Sequence, residues 1–339
     1  MAARPFDKDL DLSAGLEPGI LDPIEPGGER PAARGGRSGR RGGKPSNRGS
    51  GSRRRKGSFN NGNTAANAEK LSSPQNPQVK ALVRLRQRRA RDQEGLTVIE
   101  EPLVLRRAWE AGYPLHAVYY CNELMTPAAK ELLEDLRAAL RAGQTSLKLV
   151  ELGPDLLRKA AYRDQPDGLL AIAPQQKRSL EDLVLRENPL LVVLENVEKP
   201  GNLGAALRIA DGVGADAVLV TGEGTDLFNP NVLRASRGAF FTVPAVHCQI
   251  GEARDFLHER GLKVLATTPG ATVPYTRADL TGPLAVVLGC EHNGLSDAWL
   301  KDEGCQAVRI PMRGHGDSLN VATAAAVILY EAMRQRALA

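Results

Sequence analysis

The chain has 339 residues, of which 42% are apolar, and it carries a formal charge of +5. This length predicts two ordinary domains, since domains most often run to about 100 to 150 residues. The sequence contains no stretch of about 18 consecutive apolar residues, which argues against a membrane span. Its first residues include Asp7, Asp9 and Asp11 and no apolar segment, which argues against a secretory signal or a transit peptide.

The charge is concentrated in the N-terminal segment. Residues 1–29 carry seven acidic and two basic side chains, residues 30–56 carry eleven basic side chains and no acid, and the remaining 32 basic and 33 acidic side chains nearly balance. Residues 1–75 are predicted to be disordered, because so few apolar side chains cannot offset the entropy lost on ordering. Arginines between glycines suit phosphate backbones and favour an RNA contact, with a purely solubilising extension as the alternative.

The four cysteines do not indicate a metal site or a disulfide framework. They form no Cys-x-x-Cys pair, and no histidine lies at metal-ligand spacing from them. We therefore expect no bound metal. We expect the thiols to be reduced, as in a cytoplasmic protein. The cysteines are Cys121, Cys248, Cys290 and Cys305.

Helix and strand patterns alternate from about residue 78 to residue 174. The basic stretch VKALVRLRQRRARDQEG predicts one helix that ends at Gly95. Thr126 followed by Pro127 marks the capped start of another helix. Strands are predicted over LTVIE, HAVYYC, LKLVE and GLLAIA, and further helices over PLVLRRAWEAG and after Pro154. The alternation indicates a small α/β domain over residues 76–175.

A second alternation, over residues 190–339, follows a linker at residues 176–189. Several of its strand candidates are continuous apolar runs, which are typical of strands buried on both faces of a parallel sheet. The pattern predicts a doubly wound parallel sheet. The strand candidates are LLVVL, DAVLV, LKVLAT, LAVVLG and QAVRIPM, with FFTVPAVH less regular.

Ligands in open parallel sheets bind beyond the carboxyl ends of the strands, so three loops there are of interest. The first is NVEKPGNLGAALRIADGVGA, in which Asn202 is a plausible N-cap and Arg208 lies within a helix whose start suits a phosphate. A simple cap and a solvated arginine are the structural alternative. The second is VVLGCEHNGLS, where Gly289 and Gly294 allow close approach of a ligand and Glu291 is either functional or a solvated loop acid.

The third loop is IPMRGHGDSLNVATAAAVILYE. Pro311 marks the end of a strand, and Asp317 or Ser318 is predicted to cap a helix whose apolar face is buried. A tight strand-to-helix turn with a cap would explain Ser318. It would not explain Met312, two glycines or Asn320, so we expect the loop to have a role beyond making the turn.

A dinucleotide-binding fingerprint is a rival interpretation of a different loop. The sequence VTGEG places Gly222 and Gly224 after a strand, but Leu227 occupies the position of the third glycine. This argues against a nicotinamide-dependent enzyme. The sequence contains neither a P-loop nor a Gly-x-Ser-x-Gly motif.

Together, NLGAALRIADGVGA, LGCEHNGLS and IPMRGHGDSLNVATAAAVILYE resemble the three motifs of the SpoU (TrmH-like) family of RNA ribose 2′-O-methyltransferases, in the knotted SPOUT superfamily. They span most of residues 190–335. Residues 78–174 are more loosely similar to the substrate-binding domain that often precedes it, a sandwich similar to kink-turn-binding ribosomal proteins. Glu101 stands where that domain commonly has glycine.

The resemblance implies an α/β fold with a trefoil-knotted C-terminal parallel-sheet domain, preceded by a small α/β RNA-binding domain and a disordered tail. It also implies a homodimer packed through the knotted domain. The implied cofactor is S-adenosyl-L-methionine, held in a bent form at Thr267, Gly289, Ile310, Pro311, Met312 and Leu319. The implied catalytic residues are Asn202, Arg208, Glu291, Ser318 and Asn320.

The expected reaction is methylation of a ribose 2′-hydroxyl. Ribosomal RNA, in particular 23S rRNA, is favoured because an RNA-binding domain precedes the catalytic domain; transfer RNA, or a catalytically silent assembly factor, is the alternative. Arg208 is the family's proposed base, yet a guanidinium with a pKa of about 12.5 or more does not deprotonate in proteins. We hypothesise that Arg208 binds the target phosphate and stabilises the alkoxide, while Ser318 or a phosphate oxygen assists proton removal.

Overall fold

The computed structural model of the protein describes residues 69–290 and 293–338. Its N-terminal part is a five-stranded sheet with helices on both faces. The strands are β1 (Glu69–Leu71), β2 (Leu96–Glu100), β3 (Ala117–Tyr120), β4 (Lys148–Leu152) and β5 (Leu169–Pro174). The helices are α1 (Pro77–Arg84), α2 (Arg88–Glu94), α3 (Pro102–Glu110), α4 (Pro127–Arg141) and α5 (Pro154–Ala160). The strand order is β1, β4, β3, β5, β2, with β5 antiparallel to both of its neighbours.

Two expectations for this part need correction. Residues 69–71 form β1, which pairs in parallel with β4, so the folded part begins before residue 76. Residues 1–68 of the expected disordered tail lie outside the described residues. The single predicted basic helix is two helices, α1 and α2, separated at Gln87 by extended backbone. The break turns Arg91 inward, where its guanidinium donates to the carbonyls of Leu85 and Arg86, both at 3.1 Å.

Two other local features follow the sequence. Thr126 caps α4, with its hydroxyl accepting from the amide of Ala129 at 3.3 Å. Glu101 has a φ of 71°, a left-handed conformation that favours glycine. The conformation therefore agrees with the glycine that the resembling domain commonly has there.

The C-terminal part is a seven-stranded sheet in which all paired strands run parallel. Its strands are β6 (Leu190–Glu195), β7 (Ala217–Thr221), β8 (Ala245–Cys248), β9 (Lys263–Thr267), β10 (Val273–Pro274), β11 (Leu284–Leu288) and β12 (Cys305–Arg309). The helices are α6 (Pro200–Gly212), α7 (Pro230–Ala235), α8 (Ile250–Glu259), α9 (Asp297–Leu300) and α10 (Val321–Leu338). The order is β10, β12, β9, β11, β6, β7, β8.

The parallel sheet predicted from apolar runs is confirmed, with two differences of detail. The irregular candidate FFTVPAVH is a strand only from Ala245 onward, because residues 239–241 form a 3-10 turn. The two-residue strand β10 has too few residues to leave a pattern. The central strands β6 and β11 are buried along their whole length, as continuous apolar runs require.

Helices cover both faces of this sheet. Helices α6, α7 and α10 share one hydrophobic cluster with it, and α8 and α9 share the other. Helix α10 is less buried than its apolar sequence predicted, since Tyr330 is 47% exposed and Met333 is 40% exposed. Within the described ranges, no helix is long and apolar enough to cross a membrane.

Polar bonds join the two parts of the molecule at a buried junction. Arg91, which is 2% exposed, pairs with Asp226 at 2.7 Å. The Thr97 hydroxyl on β2 donates to the carbonyl of Phe228 at 2.7 Å. Asp226 and Phe228 both lie in the segment between β7 and α7. Because a buried charge pair is costly to break, these contacts fix the junction.

Apolar side chains close the same junction. Leu233 of α7 belongs to the core cluster of the N-terminal part, and Phe240 packs against the clusters of both parts. Tyr113 meets Phe241 edge-on, with ring centroids 4.9 Å apart. The segment from Asp226 to Phe241 is therefore a wedge shared by two cores.

Arg336, near the end of α10, ties the C-terminus to the opposite end of the sheet from the loops described below. Its guanidinium donates to the carbonyl of Pro189 at 2.9 Å, of Asn188 at 3.1 Å and of Leu280 at 3.3 Å, and to that of Gly282. One side chain thus satisfies carbonyls that precede β6 and β11.

Replacing Arg336 with Met should lower the free energy of unfolding by about 2 to 4 kcal/mol, because several carbonyls lose a charged donor. Chemical denaturation monitored by circular dichroism measures this. Arg334→Met is the matched control, because Arg334 is 58% exposed and, among the described residues, pairs only with Glu331 of its own helix, so little loss of stability is expected. Equal effects of the two substitutions would contradict the role given to Arg336.

Candidate functional site

The carboxyl ends of four neighbouring strands, β12, β9, β11 and β6, lie along one edge of the parallel sheet. Thr267 ends β9 opposite Leu288 of β11 and Val308 of β12, and Leu288 lies opposite Leu194 of β6. Since adjacent strands are about 4.8 Å apart, the loops after them begin side by side. The structure therefore brings the three loops singled out in the sequence to one place.

Gly289 permits the sharp turn of the second loop. A Cβ at this position would lie 2.2 Å from the carbonyl carbon of Gly294 and 2.5 Å from the amide nitrogen of Leu295. The turn is closed by the Gly294 amide, which donates to the carbonyl of Cys290 at 3.1 Å. Only glycine fits at position 289, whereas Glu291 lies outside the described residues.

Glu195 connects the second loop to the first. It ends β6, is fully buried, and its carboxylate accepts from the amide of Ser296 at 2.9 Å. Sequence reasoning did not single out this residue. An acid directly after five apolar residues that predict a buried strand is the signal that could have found it.

Asn202 and Asn320 join the first and third loops. The side-chain amide of Asn320 donates to the side-chain oxygen of Asn202 at 3.0 Å, across 118 positions of sequence. The Asn320 side-chain oxygen also accepts from the amides of Ala322 at 3.0 Å and Thr323 at 3.4 Å. The Asn320 side chain therefore caps α10 and also binds the first loop.

These bonds correct both predicted helix caps. Helix α6 begins at Pro200 with Lys199 before it, so Asn202 lies in the first turn and is not the N-cap. Proline occupies the first helical position readily because it needs no hydrogen-bond acceptor for its nitrogen. Helix α10 is capped by Asn320, and the predicted caps Asp317 and Ser318 are part of the exposed loop before it.

Arg208 lies six residues after Asn202, about 9 Å further along the axis of α6, and its side chain is exposed. Within residues 69–290 and 293–338, neither Arg208 nor the exposed Ser318 makes a hydrogen bond to Asn202 or Asn320. The structure thus brings the two asparagines into contact and leaves Arg208 and Ser318 facing solvent. The exposed guanidinium of Arg208 is available to an anionic ligand.

The predicted cofactor residues lie at the ends of three adjacent strands and at the start of α10. The hydroxyl oxygen of Thr267 is buried and has no hydrogen-bond partner among the described residues. Ile310 packs against the core, whereas Pro311 and Met312 are exposed, and Leu319 is half-buried. A free hydroxyl, a glycine backbone and apolar side chains suit a ligand with both polar and aromatic parts.

The rival glycine pair after β7 has a packing role. A Cβ on Gly222 would lie 2.1 Å from the side-chain oxygen of Asn196, which also accepts from the amide of Glu223 at 2.9 Å. Gly224 would place a Cβ 3.0 Å from the carbonyl of Val197. The two glycines let this turn pack against the turn after β6, leaving no open phosphate cradle.

Two of the four cysteines, Cys248 and Cys305, are unsuited to nucleophilic chemistry. Burial raises the pKa of the Cys248 thiol to about 12 and that of Cys305 to about 11, so neither is a thiolate near neutral pH. The part of the chain that the structure describes contains no group of three or more His, Cys, Asp or Glu side chains that could hold a metal ion.

Comparisons with known proteins agree with this geometry. Residues 189–330 match the model of the SpoU rRNA Methylase family, and residues 76–171 match that of the MRM3-like substrate binding domain. The chain is 33% identical over 268 residues to the 23S rRNA (uridine(2479)-2′-O)-methyltransferase of Streptomyces viridochromogenes, covering 76% of this chain and 89% of that protein.

Two solved structures are similar over most of the chain. A crystal structure of an RNA 2′-O ribose methyltransferase has a TM-score of 0.68 and 40% identity, covering 78% of this chain and 98% of that one. The SpoU methyltransferase AviRb of Streptomyces viridochromogenes, in complex with the cofactor AdoMet, has a TM-score of 0.68 and 30% identity, covering 78% of this chain and 100% of that one. The chain belongs to the SpoU family of RNA methyltransferases.

Proposed function

We propose that this chain methylates a ribose 2′-hydroxyl of 23S ribosomal RNA, using S-adenosyl-L-methionine. The observation that carries the proposal is the contact between Asn202 and Asn320, because it joins the first and third SpoU motifs at the edge of the sheet where the second motif follows β11, the neighbour of β6. The relative from Streptomyces viridochromogenes is named for this activity, and the chain spans 89% of its length. The AviRb structure holds the same cofactor.

The residues at this edge fit the cofactor. The hydroxyl of Thr267, which has no hydrogen-bond partner among the described residues, offers a donor and an acceptor, and the backbone at Gly289 can approach a ligand closely. Ile310, Met312 and Leu319 supply apolar surface for an adenine ring, with Pro311 shaping the loop between them. When bound, S-adenosylmethionine supplies an electrophilic methyl carbon attached to a sulfonium.

Arg208 acts on the RNA as a fixed positive charge. Its guanidinium remains protonated at neutral pH, so it binds the phosphate beside the target ribose and stabilises negative charge that develops on the 2′-oxygen. As the O–CH3 bond forms and the S–CH3 bond breaks, the 2′-hydroxyl proton leaves to solvent, and Ser318 or a neighbouring phosphate oxygen assists its removal. Asn202, Glu291 and Asn320 shape the pocket, and most of the rate arises from holding the hydroxyl in line with the methyl carbon.

A trefoil knot and a homodimer are part of the proposal. Helix α10 follows β12, yet its start bonds to Asn202 and its end bonds to Asn188 and Pro189, so the C-terminal chain returns across the domain. Strand β12 lies between β10 and β9, both of which precede it in sequence, and this insertion of the C-terminal chain supports the knot. The exposed Tyr330 and Met333 on α10 support a dimer, since exposed apolar side chains on one helix suit burial against a second copy.

Replacing Arg208 with Lys should lower kcat by about 100-fold or more, because a single ammonium cannot reproduce the planar fork of a guanidinium. The affinity for S-adenosylmethionine should stay unchanged. Transfer of tritiated methyl groups to 23S rRNA measures the first, and calorimetric titration the second. Arg141→Lys, at the exposed end of α4, is the control and should retain full activity. Wild-type activity in Arg208→Lys would refute the role given to the guanidinium.

Replacing Gly289 with Ala should abolish cofactor binding, because the added methyl group would force the second loop away from Gly294. Overpacking of this kind typically costs about 1 to 3 kcal/mol of stability. Calorimetry with S-adenosylmethionine tests the binding, and thermal unfolding confirms that the variant is folded. Gly251→Ala, in the first turn of α8 with no atom within 4 Å of the added Cβ, is the matched control. Normal cofactor affinity in Gly289→Ala would contradict the site.

A further inference from the structure

A cleft of about 220 Å³ lies at the junction of α2, the linker after β5 and the outer strand β8. It is separate from the loops that carry the three SpoU motifs. Charged side chains form its rim and apolar residues its floor. The lining residues used below are Arg88, Asp92, Lys177, Arg178, Asp226 and His247.

The acidic side chains of the cleft are neutralised. Asp226 pairs with the buried Arg91 at 2.7 Å, and Asp92 pairs with Arg88 at 3.6 Å. Lys177 and Arg178 are exposed, and neither makes an ion pair within the described ranges. Together with Arg91, the lining of the cleft therefore carries two more positive than negative side chains, beside the exposed ring of His247. Asp182, outside the cleft, is the nearby acid that interacts electrostatically with Arg178.

The cleft faces the same edge and side of the sheet as the candidate site. Ala245 of β8 packs against the cluster that includes α6, and His247, two residues on, points to the same side of the strand. The His247 Nε2 atom lies 3.2 Å from the carbonyl oxygen of Gly222, just after β7. Since β7 separates β8 from β6, the cleft lies about 10 Å from the end of β6.

We propose that this cleft binds the phosphodiester backbone of the RNA substrate, with Lys177 and Arg178 as the phosphate-binding residues. The inference rests on the proposed function. About three nucleotides of a stacked strand, at roughly 3.4 Å each, span the 10 Å to the end of β6. The cleft thus holds the strand that flanks the target nucleotide.

The floor of the cleft indicates backbone binding and no base recognition. Phe228 is only 6% exposed and meets Phe240 edge-on at 5.5 Å, so its ring face is not open to a stacking base. Contacts to phosphate position a nucleic acid without reading its sequence. The ion pair between Arg91 and Asp226 behind the cleft holds its walls in place, so the site is formed before RNA binds.

The test compares the full chain with its Lys177→Ala/Arg178→Ala variant. Fluorescence anisotropy with a short fluorescein-labelled single-stranded RNA of mixed sequence gives the association constant over a series of KCl concentrations. Each lost phosphate contact lowers the salt slope by about 0.7, so the variant's slope should be smaller by about 0.7 to 1.4, with weaker binding at every salt concentration. Thermal unfolding confirms that the variant is folded.

The control removes the same charge from another surface. Lys130→Ala/Arg141→Ala changes two exposed cations on α4, and its slope should equal that of the wild type. A wild-type slope in the Lys177/Arg178 variant, or an equal decrease in both variants, would overturn the proposal. Methyl transfer by the wild type to 23S rRNA is measured in parallel. Its absence would refute the proposed function, whereas methyl transfer with an unchanged slope would refute only the cleft.

Discussion

The parallel direction of all paired strands in the C-terminal sheet is the constraint on which this site depends. Because β12, β9, β11 and β6 run the same way and are neighbours, the loops after them emerge at a single edge. Motifs that are far apart in sequence therefore become adjacent without long connecting segments. The opposite edge of the sheet has structural contacts, such as the hydrogen bonds from Arg336 to the carbonyls of Asn188 and Pro189.

Two hydrogen bonds fix the positions of these adjacent loops. Asn320 holds the third loop against the first through Asn202, and Glu195 holds the second loop against the end of β6 through Ser296. Each bond joins positions more than 100 residues apart, so the loops are fixed by tertiary structure. Glu195 is fully buried, so loss of its bond to Ser296 would leave a buried acceptor atom unsatisfied. The bond between Asn202 and Asn320 lies at the surface and orients the two loops without that penalty.

The sequence predicted the sheet better than the details of the loops. Continuous apolar runs such as LLVVL can be satisfied only by burial on both faces, so they identified the central strands. The helix-cap predictions were wrong because a rule based on local sequence considers residue type alone. Asn202 has a capping side chain, yet Pro200 starts the helix and Asn320 takes the Asn202 side chain as its partner. The break between α1 and α2 was also unpredictable, because it depends on Asp226, which Arg91 meets across the junction.

The wedge from Asp226 to Phe241 gives the two parts a common core, so the N-terminal part is held in place beside the catalytic edge. Under the proposed function, an RNA bound to the N-terminal part is thereby positioned for the site on the C-terminal sheet. The most direct measurement is a transcriptome-wide map of ribose 2′-O-methylation in cells that carry the gene and cells from which it is deleted. Deletion is expected to abolish methylation at a site in 23S rRNA, and return of the wild-type gene is expected to restore it. An identical methylation map in the two strains would contradict the proposed function.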